Sequence, residues 1–268
     1  MKDAAIGIFD SGVGGLTVLR ALAERLPGES FLYLGDTARL PYGTKSAETV
    51  SRYAVQAAAA LVKRRVKLLV IACNTASAVA LPALQAAFAD IPVIGVVAPG
   101  AQAAVEAAPD GPIAVIATEG TVRGGAYARA IHARAPHIEV LQQACPLFVP
   151  LAEEGLTDGD LAAAVARHYL EQMRKAAPKC LVLGCTHFPA LKAVIASAMG
   201  PGVALVDSAA TTAMAVERQL KSSGALRDGG APAIQFLVTD APDRFARVSR
   251  IFLGAPVDPG AVEPIDLQ

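Results

Sequence analysis

The chain lacks an excess of charge of either sign. Its 268 residues include 24 lysines and arginines and 24 aspartates and glutamates, so its formal net charge is zero. A protein that binds nucleic acid or an anionic membrane mainly through charge needs a basic excess. We therefore expect neither nucleic acid nor a membrane to be the main partner.

Long uninterrupted apolar segments are also missing. No stretch of about twenty apolar residues, the length that crosses a bilayer, is free of charge and proline. The N-terminal segment MKDAAIGIFD has too short an apolar run for a signal peptide and reaches an acid at Asp10. These absences predict a cytoplasmic protein. Because 53% of the residues are hydrophobic, a large core is still expected, in one big domain or two of modest size.

Cysteine is scarce and forms no recognisable framework. The four cysteines lack disulfide-framework spacing, and without an export signal we expect them to be reduced. The spacing of Cys180 and Cys185 is not the C-x-x-C of zinc sites. A metal site on Cys185 and His187 would need two further ligands, which no recognisable spacing supplies. We therefore expect no metal.

The common phosphate-binding motifs are absent as well. The first predicted strand, Ile6 to Phe9, runs into the turn Asp10 to Gly15, which reads DSGVGG. Thr17 stands where the third glycine of G-x-G-x-x-G belongs, and Val13 stands where a P-loop has lysine. The glycines either form no more than a tight turn, or their amides gather an anion such as a substrate carboxylate at a helix N-terminus.

What the chain does contain is the same strand-to-helix unit twice. Leu68 to Ile71 is an apolar run that leads to Cys73, and Cys180 to Gly184 leads to Cys185. Such runs, followed by small polar residues and a helix, predict buried parallel strands, whose carboxyl ends carry the chemistry of open α/β sheets. The sequence therefore predicts an α/β protein of two similar halves, each with one thiol at the end of a strand.

Further strands are predicted between helices along the rest of the chain. They are Phe31 to Gly35, Val93 to Val97, Ile113 to Ala117, Ile138 to Gln142, Val203 to Val206 and Ile234 to Thr239. Pro99 and Gly100 end the strand at Val93 to Val97 and mark a candidate boundary between the halves. The basic residues Lys63, Arg64, Arg65 and Lys67 suit the solvated last turn of a helix, where cations favour the macrodipole.

Paired thiols indicate a specific chemistry. A helix N-terminus lowers the pKa of a thiol, so we expect both Cys73 and Cys185 to be activated. One thiolate can remove a proton from a carbon acid while the other thiol delivers a proton to the opposite face. This exchange inverts a stereocentre without metal, flavin or pyridoxal. Asp10 and His187 are placed in the sequence to support one thiol each.

Other polar residues have more ordinary interpretations. Cys145 and Cys180 are expected to be small buried hydrophobes. Thr118 and Thr121 are either helix caps or ligands of a small polar molecule. Glu153 and Glu154 precede a helix that opens with a possible capping box, Thr157 to Asp160, so by themselves they are interpreted as structural.

Several segments resemble, in the same order, the diagnostic segments of the bacterial glutamate racemase family. They are Asp10 to Leu16 (DSGVGGL), Pro41 to Gly43 (PYG), Cys73 to Ala76 (CNTA), Thr118 to Thr121 (TEGT), Cys145 to Leu151 (CPLFVPL) and Gly184 to His187 (GCTH). The resemblance extends from about Gly7 to Gly254 and implies two α/β domains with mostly parallel sheets facing across a central cleft. The domains would be residues 1–97 with 209–268, and residues 98–208.

The resemblance also implies an activity and a set of roles. The activity is cofactor-independent interconversion of L- and D-glutamate, supplying D-glutamate for peptidoglycan synthesis, in a protein expected to be a homodimer. Cys73 and Cys185 would be the two bases, with Asp10, Glu153 and His187 as auxiliaries. The implied substrate-binding residues are Ser11, Tyr42, Gly43, Asn74, Thr75, Thr118, Thr121 and Thr186. Phe188 and Ala152 depart from the usual tyrosine and valine of the family.

Two alternatives remain open from the sequence. A related racemase that acts on aspartate or a hydantoin would use the same paired thiols and differ in its contacts with the distal group of the substrate. A non-catalytic amino-acid-binding protein would keep the fold without the chemistry, although the intact thiol pair argues against it. A thiol oxidoreductase would need the two cysteines close enough to form a disulfide.

Overall fold

The computed structural model describes residues 2–229 and 231–267. The strands are β1 (Ile6–Asp10), β2 (Phe31–Gly35), β3 (Leu68–Ile71), β4 (Val93–Gly95), β5 (Ile113–Ala117), β6 (Val140–Ala144), β7 (Cys180–Gly184), β8 (Ala204–Asp207), β9 (Ile234–Val238) and β10 (Val262–Pro264). The helices are α1 (Leu16–Arg25), α2 (Ala47–Lys63), α3 (Asn74–Val79), α4 (Leu81–Ala87), α5 (Val97–Ala107), α6 (Glu119–Gly124), α7 (Ala126–His132), α8 (Phe148–Glu153), α9 (Gly159–Lys175), α10 (Lys192–Met199), α11 (Ser208–Ser222) and α12 (Pro242–Leu253).

The strands form two sheets in the described part of the chain. One has the order β10-β9-β2-β1-β3-β4 and the other has the order β6-β5-β7-β8. Every strand pair in both sheets is parallel. Parallel strands need helical crossovers, which cover both faces of the sheet. This explains why β1, β2, β3, β5 and β7 are buried along their whole length. The predicted fold class, two α/β domains with mostly parallel sheets, is confirmed.

The central strands β2, β3, β5 and β7 have the predicted bounds, β1 and β9 differ from theirs by one residue, and the predicted edge strands differ by one or two residues. Phe31–Gly35, Leu68–Ile71 and Ile113–Ala117 lie where their continuous apolar runs predict them. At the sheet edge, β6 begins two residues later than predicted, and all its residues are half-buried. An edge strand packs on fewer neighbours, so its apolar pattern defines its ends less sharply.

The connection from β4 to the second sheet is a continuous helix. Helix α5 begins at Val97 and includes Pro99 and Gly100 in its first turns, so the strand predicted over Val93 to Val97 ends earlier, at Gly95. Proline is tolerated because the first N–H groups of a helix have no intrahelical partner. Since α5 packs against β7 and β8, it already belongs with the second sheet. The domain limits after residues 97 and 208 stay predictions.

The C-terminal segment returns to the first sheet. Strand β9 pairs with β2, and β10 pairs with β9 at the edge of the sheet. Between them, α12 packs on α1. The carboxyl ends of all these strands lie at the same edge of the sheet as the end of β3, which is followed by Cys73.

One member of the basic run has a structural role inside the protein. Lys67 and Glu29 form an ion pair with Nζ and Oε2 2.6 Å apart, and their side chains are 1% and 2% exposed. Lys67 also donates to the carbonyl oxygens of Lys2 and Ala225. The expectation of a solvated cation is therefore wrong for Lys67, which joins three distant chain segments.

None of the described helices has the length and apolar character that a membrane crossing requires.

Candidate active site

Both cysteines singled out by the sequence line one cavity of about 320 Å³. Cys73 reaches it from the end of β3 in the first sheet, and Cys185 reaches it from the end of β7 in the second. The other predicted site residues on its wall are Ser11, Tyr42, Gly43, Asn74, Thr75, Thr118, Glu153, Thr186 and His187. Asp10 and Thr121 lie behind this wall, at 0% and 1% exposure.

The Cys73 thiol is held at the N-terminus of helix α3. Its sulfur accepts a hydrogen bond from the Ala76 amide at 3.5 Å, and the thiol donates to Oγ of Ser11 at 3.4 Å. Burial nevertheless raises the pKa of Cys73 to about 12, and the nearby charge of Asp10 adds to this effect. The expectation of a lowered pKa is wrong for Cys73, because desolvation of the thiolate outweighs its hydrogen bonds. In this structure the Cys73 thiol is therefore protonated at neutral pH.

Cys185 is instead placed beside a cation. Its sulfur lies 3.8 Å from Nδ1 of His187, whose Nε2 lies 3.0 Å from Oε1 of Glu153. Burial acts to lower the pKa of His187, but the hydrogen bonds with Cys185 and Glu153 outweigh it and raise the pKa to about 10. The resulting imidazolium places a positive charge beside the Cys185 sulfur. The two thiols therefore have different surroundings.

Glu153 lies in the candidate site, in contact with His187. Apart from the family resemblance, the sequence indicates only a structural role for Glu153, ahead of helix α9. Asp158 caps α9 without a side-chain hydrogen bond, so the predicted capping box is not formed. Burial acts to raise the pKa of Glu153, but hydrogen bonds from His187 and Arg244 outweigh it and lower the pKa to about 2. Glu153 is therefore an anion paired with His187.

Asp10 lies next to the Cys73 half of the cavity. Its Oδ2 accepts a hydrogen bond from the Gly12 amide at 2.9 Å, within the glycine-rich turn. Burial raises the pKa of Asp10, while the positive charge of His187 opposes the rise. A buried carboxylate with a raised pKa is suited to proton exchange.

Three threonines connect the two halves of the site. The hydroxyl of Thr75 lies 2.9 Å from that of Thr118 and 3.2 Å from that of Thr121. Thr118 is also the N-cap of α6 and accepts from the Thr121 amide. Both interpretations of Thr118 are therefore compatible with the structure, since it caps a helix and lines the cavity.

Asn74 has one donor that is unpaired in the described part of the chain. Its Oδ1 accepts a hydrogen bond from the Tyr127 hydroxyl at 2.7 Å. Its Nδ2 is buried and has no partner within residues 2–229 and 231–267. A buried donor without a partner is costly, and a carboxylate in the cavity would supply the missing acceptor.

Tyr42 is fixed from behind the wall. Its hydroxyl donates to Oδ2 of Asp36, which also accepts from Nε of Arg39 at 2.7 Å, and Oδ1 of Asp36 accepts from Thr239. Burial and the negative charge of Asp36 raise the pKa of Tyr42. The phenol therefore remains protonated and serves as a fixed wall of the cavity.

The wall also contains four residues without a role predicted from the sequence, Leu40, Pro41, Val149 and Pro150, together with Gly12 of the glycine-rich turn. All except Leu40 fall inside the segments that carry the family resemblance, which was the available signal. Being apolar or lacking a side chain, they offer no chemistry that a sequence pattern identifies.

A family model described as Asp/Glu/Hydantoin racemase matches residues 6–216. The chain belongs to this family. Among its relatives, the glutamate racemase of Geobacter metallireducens is 52% identical over 100% of this chain and 98% of its own length.

Solved structures of racemases agree with this. Glutamate racemase from Francisella tularensis in complex with D-glutamate has a TM-score of 0.93 at 37% identity, covering 100% of this chain and 99% of its own. Glutamate racemase from Thermus thermophilus in complex with beta-chloro-D-alanine has a TM-score of 0.88 at 46% identity, covering 99% and 98% of the two chains. The resemblance inferred from the sequence is confirmed, and the enzyme class is that of the amino-acid racemases.

We expect the Glu153–His187 pair to make the stability of the protein depend on pH. The contribution of Glu153 is full above pH 4.5 and is lost as the pH falls towards 2. That of His187 is full below pH 6.5 and is lost as the pH rises towards 10. The loss of unfolding free energy in His187→Gln should therefore be larger at about pH 6 than at about pH 9.5 in urea titrations. The exposed His137, changed to Gln, is the control; an equal loss at both pH values for His187→Gln would contradict the expectation.

Proposed function

We propose that this protein is a glutamate racemase that works by two-base catalysis with Cys73 and Cys185. The observation that carries the proposal is that the two sulfurs line one cavity from different sheets. Bases that invert a fixed carbon must approach it from opposite sides, and two sheets facing one cavity supply such sides. The D-glutamate bound by the Francisella racemase, which shares the fold over its whole length, supports glutamate as the substrate.

The proton transfers balance without any other reactant. With L-glutamate bound, the Cys185 thiolate takes the α-proton, and the electron pair of the broken C–H bond moves into the α-carboxylate. The Cys73 thiol then gives its proton to the opposite face of the carbon and becomes a thiolate, leaving D-glutamate. The raised pKa of Cys73 and the cation beside Cys185 match this direction. The reverse reaction starts with the opposite protonation states.

The polar groups on the wall would hold the α-carboxylate while negative charge develops on it. Nδ2 of Asn74 is a buried donor without a partner among the residues that the structure describes, and Thr75 and Thr186 lie on the same wall. Donors that are already in place stabilise such a charge without reorganisation during the reaction. Asp10 and Glu153–His187 would exchange protons with Cys73 and Cys185 respectively.

The proposal is tested by incubating the protein with L-glutamate in heavy water. We expect D-glutamate to appear with deuterium at its α-carbon, because the proton delivered to the new face comes from a thiol that exchanges with solvent. Chirality and isotope content are followed by chiral chromatography with mass spectrometry. If glutamate is neither racemised nor deuterated at its α-carbon, the proposal is wrong. Aspartate and hydantoins are assayed in parallel. Racemisation of one of these compounds would then identify a related racemase. Binding of an amino acid without exchange of its α-proton would identify an amino-acid-binding protein.

The proposal also includes a cellular role for the product. D-glutamate made by this reaction would supply peptidoglycan synthesis and so cell-wall shape. The cytoplasmic location, the homodimer, the independence from cofactors and metals, and the minor importance of nucleic acid as a partner stay predictions.

A further inference from the structure

We propose that Arg244, on the C-terminal helix α12, is a positioning residue for the Cys185 base. The proposal rests on the proposed racemisation and extends it to a residue outside the segments that carry the family resemblance. Arg244 donates from Nη2 to Oε2 of Glu153 at 2.8 Å. The partners are 91 residues apart in the chain, and they come from elements attached to different sheets.

The contact completes a continuous chain of side-chain contacts that ends at the Cys185 sulfur. It runs from Arg244 to Glu153, from Glu153 to His187, and from His187 to the sulfur of Cys185. Each oxygen of the Glu153 carboxylate is used once, Oε1 by His187 and Oε2 by Arg244. Because both oxygens are bonded, the plane of the Glu153 carboxylate is fixed. The orientation of the His187 ring, which is hydrogen-bonded to this carboxylate through Nε2, is fixed as well.

Without Arg244, Oε2 would lose its protein partner among the described residues. The Glu153 side chain is 11% exposed, so it is largely screened from water that could replace the arginine. The carboxylate would be free to rotate, and Nδ1 of His187 would point less consistently at Cys185. Arg244 itself is 40% exposed, so its effect is mainly to orient the carboxylate and much less to add stability.

A second contact of the same helix supports this role. The ring of Phe252, also on α12, packs edge-on against the His187 ring with centroids 5.1 Å apart. Helix α12 follows β9 of the first sheet, whereas Glu153 and His187 follow β6 and β7 of the second. The orientation of the Cys185 base therefore depends on an element of the opposite domain, and Arg244 provides its charged contact.

The test compares Arg244→Met with Arg244→Lys and with Arg247→Met. Arg247 is an exposed residue of the same helix without an ion pair in the described part of the chain, so its variant is a matched control. We expect kcat/KM of Arg244→Met to fall about 10- to 100-fold in both directions, because an ångström of displacement at a base has an effect of this size. Lysine should restore part of the loss, since its ammonium can still donate to Oε2.

Isotope effects separate positioning from a general structural defect. If transfer at Cys185 is slowed selectively, that step becomes limiting in both directions. The primary isotope effect on kcat/KM should then rise with α-deuterated L-glutamate and fall with α-deuterated D-glutamate. These ratios do not depend on the fraction of folded enzyme, so a partly unfolded sample still gives an answer.

The pH profile gives a second readout. Loss of the guanidinium removes one of the hydrogen bonds that lower the pKa of Glu153, so the acid limb of kcat/KM should move to higher pH in Arg244→Met. Isotope effects equal to those of the parent for both enantiomers, or an equal change in Arg247→Met, would overturn the proposal. The parent enzyme in the same assay tests the proposed function separately, because its failure to racemise glutamate says nothing specific about Arg244.

Discussion

Replacing either Cys73 or Cys185 by serine should reduce racemisation by about 10²- to 10⁴-fold, the size of a lost general acid or base. Serine is close to cysteine in volume but far less acidic. Each single variant keeps one thiol and should therefore still exchange the α-proton of one enantiomer with solvent. We expect Cys73→Ser to exchange L-glutamate and Cys185→Ser to exchange D-glutamate. Racemisation is followed by circular dichroism, and exchange by proton NMR in heavy water.

The control for the serine variants is Cys180→Ala. Cys180 is fully buried in β7 and does not line the cavity, so its variant should racemise at close to the parental rate per folded molecule. Cys145 is equally buried, as the sequence predicts for both residues. Thermal melts of each variant would show whether it is folded. A purified Cys73→Ser protein with the parental rate would refute two-base catalysis by these thiols.

A single methyl group at Gly14 should have the second largest effect. A Cβ built at this position would overlap Nδ1 of His187 and Oγ1 of Thr186. Both neighbours would have to move, and the nitrogen that faces Cys185 would move with them. We expect Gly14→Ala to lower kcat/KM about 10²-fold, the loss associated with a displacement of about 1 Å at a catalytic group. Steady-state kinetics in both directions measures it.

Gly28→Ala is the matched control for this change. A Cβ at Gly28 meets no atom within 4 Å, so its variant should keep parental activity. If Gly14→Ala did the same, the close approach of the turn to His187 would not matter for catalysis. The sequence suggests that the glycines of this turn either form a tight turn or bind an anion. The structure shows a further use, because they let the chain lie directly against His187 at Gly14 and against Asp10 at Gly15.

The central strands and the location of the thiols could be predicted because they depend on local patterns. A continuous run such as Leu68–Ile71 has no polar residue to place at a surface, so it is buried on both faces and forms a central parallel strand. The residues that follow it, Cys73 among them, then lie at the edge where parallel strands end. The same reasoning applies to Cys180–Gly184 and Cys185, and the cavity contains both sulfurs.

The protonation states could not be predicted in this way. A helix N-terminus next to Cys73 indicates a lowered pKa, yet burial and the charge of Asp10 raise it. The charge of His187 depends on Glu153, which reaches it from another strand-to-helix unit. Desolvation and charge pairing depend on what surrounds a group in space, and neighbours in sequence are a poor guide to that.

The sequence by itself determined the α/β class, the central strands and the two thiols at equivalent turns. Apolar runs and turn residues act within a few positions of the chain, so their effect is readable there. The tertiary structure alone decided that Arg244 reaches Glu153, that Lys67 is buried against Glu29, and that Cys73 and Cys185 differ in their surroundings. The contacts of Arg244 and Lys67 join segments far apart in the chain, and the electrostatic consequences of all these contacts follow from burial that exists only once the domains are packed.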